Sequence, residues 1–238
     1  LLGGQYRSQV RMYCDTDVEG KHSGTQMGEA LKRRIERGYT FLKMDLGMDL
    51  LFDEPGCLNA PLGFLEDVEK YSAKALRHQS GSIAPEVMRG RHYETFTIPH
   101  HATGIHLTER GIQYLVQYVR EVRDVIGYEV PLAIDHLGHL GLGDCIRLAR
   151  QLEPYNIAWL EDVAPWQYTE QYVKIANATT IPICTGEDIY LHDTFRPLLK
   201  SGGVSVVHPD VLTIGGAMEI KKLGDLCEQY GAAMAIHM

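Results

Sequence analysis

Hydrophobic and polar residues follow two different periods along this chain. From about residue 107, apolar side chains recur at three- and four-residue spacing, as in Ile112, Leu115, Val119 and Val122. A short apolar run then covers residues 130–134. The first period predicts an amphipathic helix, and the short run predicts a strand buried on both faces.

The same unit recurs to the end of the chain. We predict further helices at residues 143–152, 168–177, 190–200 and 216–230, each followed by a strand, at residues 157–160, 181–184, 204–207 and 232–236. Near the start, residues 9–14 and 41–44 are predicted as strands. Between them, Met27, Leu31 and Ile35 mark one face of a helix, with Gly38 as its C-terminal cap.

Seven strands alternating with helices favour parallel βαβ units and an α/β barrel. We interpret residues 1–238 as one incomplete barrel domain. An insertion at about 48–106, after the second strand, breaks the rhythm with many prolines and glycines, and within it only residues 65–79 have a helical pattern. Functional loops of such barrels gather at this end of the strands.

Each predicted strand in the second half ends on an acid or a histidine. These residues lie 23 to 27 positions apart, one βα unit each: Asp135, Glu161, Glu187, Asp210 and His237. In a parallel barrel they converge at the C-terminal face, where three bare carboxylates would repel one another. A divalent cation relieves that repulsion, and an all-oxygen ligand set selects Mg²⁺.

Simpler structural roles are the alternative. A carboxylate at a strand end often caps the next helix, and we assign Asp162 and Asp188 that role. Lys43 and Asp45 alternate at the end of the second strand, so both face the same side, which we take as the barrel interior. They are either functional or a buried ion pair.

Composition narrows the function further. The net charge of -8 argues against a nucleic-acid surface, and no apolar run approaches the length of a membrane span. The five scattered cysteines form no CxxC motif. They indicate free thiols in a reducing, cytoplasmic setting.

Taken together, these residues resemble the mandelate racemase group of the enolase superfamily. The matching stretches are residues 1–4, 41–45, 134–135, 159–161, 185–187, 209–216 and 236–237. The resemblance implies an enolase-type modified barrel that binds Mg²⁺ through Asp135, Glu161 and Glu187. It also implies a catalytic dyad of Asp210 and His237.

The shared chemistry of that group is removal of the proton α to a carboxylate, with stabilisation of the enediolate. The family's strand-two Lys-x-Lys motif maps to Lys43 and, with a departure, to Asp45. We therefore expect catalytic Lys43 to contact the substrate carboxylate, with Asp45 beside it in the substrate site. The loss of the second lysine disfavours two-base racemisation and favours one-base β-elimination.

We thus predict an acid-sugar dehydratase that converts an aldonate or aldarate to a 2-keto-3-deoxy acid. A cycloisomerase that opens an anhydro-sugar or lactone ring would use the same residues. Two further hypotheses are a racemase or epimerase of 2-hydroxy acids and a non-catalytic protein that binds an acid sugar.

Several histidines have more than one possible role. His136 and His139 flank the position two after Asp135, where related dehydratases often have histidine; we count them as substrate-binding candidates, with surface roles as the alternative. His208 is interpreted as structural. His100, His101 and His106 of the insertion either contact a polyol chain or belong to a surface or subunit contact.

A closed barrel needs eight strands, and the family has an N-terminal capping domain. We therefore expect this chain to be a segment of a longer polypeptide. Its expected partners are a small sugar acid or 2-hydroxy acid and further copies of itself, with neither nucleic acid nor membrane.

Overall fold

The computed structural model describes residues 3–5, 7–18, 22–60, 62–63, 105–135 and 140–237. The strands are β1 Cys14–Thr16, β2 Leu42–Asp45, β3 Leu58–Asn59, β4 His106–Leu107, β5 Leu132–Asp135, β6 Ile157–Glu161, β7 Ile183–Thr185, β8 Val206–Val207 and β9 Ala233–Met234. The helices are α1 Gly24–Glu36, α2 Glu109–Ile126, α3 Leu142–Leu152, α4 Thr169–Ala176, α5 Arg196–Ser201 and α6 Ala217–Tyr230. Short 3₁₀ turns cover Met48–Leu51, Glu153–Tyr155 and His192–Phe195.

Seven of these strands form one parallel sheet in the order β1-β2-β5-β6-β7-β8-β9. Each neighbouring pair is parallel, and helices connect them, as the alternating pattern predicts. The predicted α/β barrel architecture is therefore confirmed. The strands β3 and β4 form a separate antiparallel pair.

The sheet has two apolar faces. The outer face packs on the helices in the large core, through residues such as Leu42, Ile134 and Leu160. The inner face holds a small cluster of Ala133, Trp159 and Cys184. Because side chains alternate along each strand, the residues two positions after Ala133 and Trp159, which are Asp135 and Glu161, also face inward.

The first strand is shorter and later than predicted. Residues 9–14 have an apolar alternation, but Val10 and Met12 are exposed. The pairing with β2 begins only at Cys14, opposite Leu42. A strand requires a partner for its backbone groups, and the alternation alone did not show where that partner begins.

Local sequence signals set the helix ends. Ser23 and Gln26 form a reciprocal capping box at the start of α1. Thr108 caps α2, and Gly127, with φ of 69°, follows its last residue. None of the described helices is long and apolar enough to cross a membrane.

Arg123 of α2 is a buried cation bound by carbonyl groups. Its guanidinium donates to the carbonyl oxygens of Gly127 and Val130, just before β5, and of Tyr155 and Asn156, just before β6. The side chain is 1% exposed. Arg123 therefore joins the amino ends of two neighbouring strands.

The contact between α1 and α2 depends on glycine. A Cβ atom at Gly28 would lie 2.8 Å from Val125 Cβ, closer than side chains pack. We expect Gly28→Ala to lower the free energy of unfolding by about 1–3 kcal/mol, because the two helices must separate. Urea unfolding measures this.

The matched control is Gly224→Ala, also inside a helix, where a Cβ atom would meet only Met234 Cε at 3.6 Å. That variant should be as stable as the parent or more stable by up to about 1 kcal/mol, because alanine favours helix. Equal destabilisation of both variants would contradict the proposed close helix contact.

Candidate active site

The inward-facing side chains at the carboxyl ends of the strands form one continuous cluster. Lys43 comes from β2, Asp135 from β5 and Glu161 from β6. His208 and His237 follow β8 and β9, and their rings lie 5.4 Å apart, edge to face. The fold thus brings one lysine, two carboxylates and two histidines to the same end of the sheet.

Glu161 is the centre of this cluster and is fully buried. Its Oε1 accepts a hydrogen bond from Lys43 Nζ at 3.0 Å and contacts His208 Nδ1. Its Oε2 accepts a hydrogen bond from Trp159 Nε1 at 2.8 Å. Burial alone raises the pKa of Glu161, but the hydrogen bond from His208 and the charge of Lys43 outweigh burial and lower it to about 2. The carboxylate is therefore ionised.

Lys43 neutralises two carboxylates at once. Its Nζ lies 2.6 Å from Asp135 Oδ2 in addition to its contact with Glu161, and its side chain is 1% exposed. Burial lowers the pKa of Lys43, but the charges of Glu161 and Asp135 raise it above its ordinary value. Asp45 is half-buried and lies beside Asp135 in the register of β2 and β5.

The predicted Asp–His dyad is present in the geometry. His237 Nδ1 lies 3.1 Å from Asp210 Oδ2, and the two residues form a parallel backbone bridge. Asp210 Oδ1 accepts hydrogen bonds from the backbone of Leu212 and Thr213 at 2.8 and 2.7 Å. The Thr213 bond and His237 lower the pKa of Asp210 to about 2. Asp210 is thus a fixed anion that orients the imidazole.

A compact acidic group lies next to Lys43. Asp135, Glu161 and Asp162 each place a carboxylate oxygen within 4.8 Å of the others. This all-oxygen donor set fits a hard divalent cation such as Mg²⁺. The residues present are therefore compatible with the metal that the resemblance implies.

Glu187, the third predicted metal ligand, lies at the edge of this group. Its Oε2 is 3.3 Å from His237 Nε2. Burial raises the pKa of Glu187; the cationic form of His237 works against that rise, and the charge of Asp135 adds to it. The charges of the cluster therefore affect the pKa of Glu187, but its direct contact is with His237 of the dyad.

One interpretation from the sequence was wrong. Asp162 caps none of the described helices, since Tyr168 is the N-cap residue of α4. Its backbone has a left-handed φ of 48°, and its carboxyl accepts a hydrogen bond from Thr185 Oγ1 at 2.6 Å. Burial raises the pKa of Asp162 to about 8. His208, assigned a structural role, is fully buried against Glu161. It faces the site because residues two apart in a strand share a face, and Asp210 is two residues later.

The predicted substrate-binding candidates His136 and His139 lie outside the described residues, as do His100 and His101. His106 is described. Its Nδ1 lies 3.0 Å from Asp144 Oδ2, and Asp144 belongs to the first turn of α3. The contact joins β4 to α3, outside the carboxylate cluster.

Comparison with known proteins places this geometry in a family. The family model described as "Enolase C-terminal domain-like" matches residues 26–238. The chain belongs to this family. The resemblance inferred from the strand-end motifs is therefore confirmed for the enolase-type barrel domain.

Two curated relatives are named as sugar-acid dehydratases. D-xylonate dehydratase of Haloferax volcanii is 29% identical over 239 residues, which cover 100% of this enolase-type chain and 47% of the relative. D-galactonate dehydratase of Ralstonia pickettii is 32% identical over 134 residues, 56% of this chain and 35% of the relative. The chain spans less than half the length of either relative.

Solved structures agree with the fold. A mandelate racemase/muconate lactonizing enzyme-like protein from Rubrobacter xylanophilus superposes with a TM-score of 0.71 at 25% identity, over 100% of this enolase-type chain and 52% of that chain. The 3,6-anhydro-D-galactonate cycloisomerase from Zobellia galactanivorans gives 0.64 at 22% identity, over 100% and 49%. The second likeness concerns the fold alone.

Removing the central cation tests the electrostatics of this enolase-type cluster. We expect Lys43→Met to lower the free energy of unfolding by about 3 kcal/mol, because it leaves two buried carboxylates facing each other. The exposed pair of Lys221 and Asp225 supplies the control, and Lys221→Met should change stability by less than about 1 kcal/mol. Urea unfolding measures the free energy of unfolding of both variants. An equally small change in both would contradict the buried ion pairs.

Proposed function

We propose that this protein catalyses Mg²⁺-dependent removal of the proton α to the carboxylate of a sugar acid, followed by β-elimination of water. The product is a 2-keto-3-deoxy acid. One observation supports this most directly: a His–Asp dyad lies beside a buried carboxylate cluster at the carboxyl ends of parallel strands. Elimination needs both parts, a base and a site for anion stabilisation.

In this proposal the metal is held by Asp135, Glu161 and Glu187. Asp135 and Glu161 lie in one compact group with Asp162, which is a further oxygen donor, and Glu187 lies beside His237. When bound, Mg²⁺ supplies Lewis-acid stabilisation of the negative charge that develops on the substrate carboxylate. Glu161 is already ionised and buried, so it can serve as a ligand without losing a proton.

His237 is the proposed base. Asp210 Oδ2 faces Nδ1, and Glu187 Oε2 lies 3.3 Å from Nε2. In the proposed base form, Nδ1–H donates to Asp210 and Nε2 carries the lone pair. In the proposed step the α C–H bond breaks and the proton moves to Nε2. The β C–O bond then breaks, the leaving hydroxyl takes the proton from Nε2–H and departs as water, and the resulting enol tautomerises to the 2-keto acid.

Lys43 would balance charge on the substrate side. Its ammonium already faces two anions, and the field of those anions keeps it protonated. We propose that it stabilises the substrate carboxylate and that Asp45, beside Asp135 at the end of β2, contacts a substrate hydroxyl. His136 and His139 follow Asp135 closely in the sequence and remain proposed substrate contacts.

The names of the relatives support a sugar acid as substrate, because both curated dehydratases act on aldonates according to their names. The mostly buried, free cysteines support a reducing, cytoplasmic setting. We further propose that the protein forms homo-oligomers.

The first experiment incubates the full-length protein and Mg²⁺ with a panel of aldonates, aldarates and anhydro-sugar acids in D₂O. NMR should detect a 2-keto-3-deoxy product from one of them. Deuterium at the α-carbon without a keto product would replace elimination by racemisation or epimerisation. Turnover of only the anhydro-sugar acids would replace dehydration by ring opening.

The base assignment has its own variant. We expect His237→Asn to lose at least about a hundredfold in α-proton exchange, the usual contribution of a positioned base, while Mg²⁺ binding is kept. His192→Asn is the control, because His192 pairs with Glu219 in the turn after β7. Unchanged exchange in His237→Asn would overturn the assignment.

The ligand assignment is tested without turnover. Isothermal titration calorimetry should show that Asp135→Asn binds Mg²⁺ at least about tenfold more weakly, because the variant replaces an anionic ligand by a neutral one. Asp193→Asn removes an exposed carboxylate that pairs with Arg196 and should bind as the parent does. Equal Mg²⁺ affinity in the two variants would refute the ligand set.

A further inference from the structure

His208 connects Glu161 to a tyrosine from the opposite edge of the sheet. One ring nitrogen, Nδ1, contacts Glu161 Oε1, and the other, Nε2, lies 2.9 Å from the Tyr13 hydroxyl. The imidazole is fully buried. Both of its nitrogens therefore have a defined partner, and the choice of tautomer follows from what those partners can donate or accept.

Tyr13 is held in place by its ring as well as its hydroxyl. The ring contacts Trp159 and His208 edge to face, at 6.4 and 5.3 Å between centroids, and the ammonium of Lys43 lies 5.6 Å from its centroid. Burial raises the pKa of Tyr13 to about 12, so the hydroxyl keeps its proton and can donate. When the Tyr13 hydroxyl donates a hydrogen bond to Nε2, that nitrogen carries no proton, and Nδ1–H donates to Glu161.

The backbone around His208 is also adapted to this position. Gly186, after β7, has φ of 149°, and a Cβ atom there would lie 3.0 Å from His208 N and 2.8 Å from Phe195 Cε1. Glycine thus lets the end of β7 approach the backbone that presents the imidazole. His208, directly after β8, is therefore held through both its side chain and its main chain.

We propose that Tyr13 and His208 are positioning residues for metal binding: the Tyr13 hydroxyl fixes the Nδ1–H tautomer of His208, which holds Glu161 Oε1 in one orientation. The inference rests on the proposed function, because it takes Glu161 as a Mg²⁺ ligand. Trp159 holds the second oxygen of the same carboxylate, so the rotation of Glu161 about its terminal bond is restrained at both oxygens. Partners of this kind set the orientation and basicity of a ligand.

The tautomer is measured first, on the metal-free protein. Ring ¹⁵N NMR of labelled histidine should show His208 protonated at Nδ1 and unprotonated at Nε2. In Tyr13→Phe the population of the Nε2-protonated form of His208 should rise, because the variant lacks the hydroxyl that donates to Nε2. A parent protein with Nε2–H, or with both nitrogens protonated, would overturn the proposal.

Calorimetry with Mg²⁺ alone then measures the consequence. We expect His208→Leu to lose about 10- to 100-fold in affinity, the usual effect of removing such a partner, and Tyr13→Phe to lose less. His208→Asn should recover most of the affinity, because its amide N–H can take the place of Nδ1–H. Tyr118→Phe, a buried tyrosine of α2, is the control and should bind as the parent does.

The outcomes separate the two proposals. A loss smaller than about tenfold in a folded His208→Leu, with a parent that binds Mg²⁺, overturns the positioning role alone. A parent that binds no Mg²⁺ overturns the proposed function and the metal role together. If His208→Leu does not fold, as melting curves would show, unchanged affinity and unchanged tautomer in Tyr13→Phe overturn the positioning role.

Discussion

The carboxylate of Glu161 is the interaction on which the site depends. A buried anion is costly unless it is paired and hydrogen-bonded, and Glu161 meets that cost with three donors from three different strands or strand ends. Lys43, Trp159 and His208 are therefore fixed relative to one another by a single charged group. Much of the arrangement around it follows from satisfying that charge.

The same requirement divides the cluster into two parts. On one side, Lys43 balances the negative charge of Glu161 and Asp135. On the other, His237 lies between Asp210 and Glu187, with a side chain 36% exposed. The buried part is suited to hold charge in place, and the accessible part is suited to exchange a proton with a bound molecule.

The sequence predicted the repeating architecture well because hydrophobic residues recur with the helical period in each helix and form a short run in each strand. The regular length of the βα units then indicated the five strand-end residues. It did not predict what depends on contacts between units. The role of His208 depends on the end of β8 reaching Glu161 of β6 across the intervening β7, although its position two before Asp210 was a usable signal. Tyr13 was missed because the strand that it precedes begins later than the apolar alternation indicates. The left-handed backbone of Asp162 has no sequence signal of its own.

Arg123 has a consequence for how such a protein can diversify. Its guanidinium ties the chain just before β5 to the chain just before β6, at the ends opposite Asp135 and Glu161. Contacts remote from the loops that follow these two acidic residues thus join the two strands that carry them. Substitutions in those loops can therefore change what the protein contacts there while the two strands that carry Asp135 and Glu161 stay joined at their other ends.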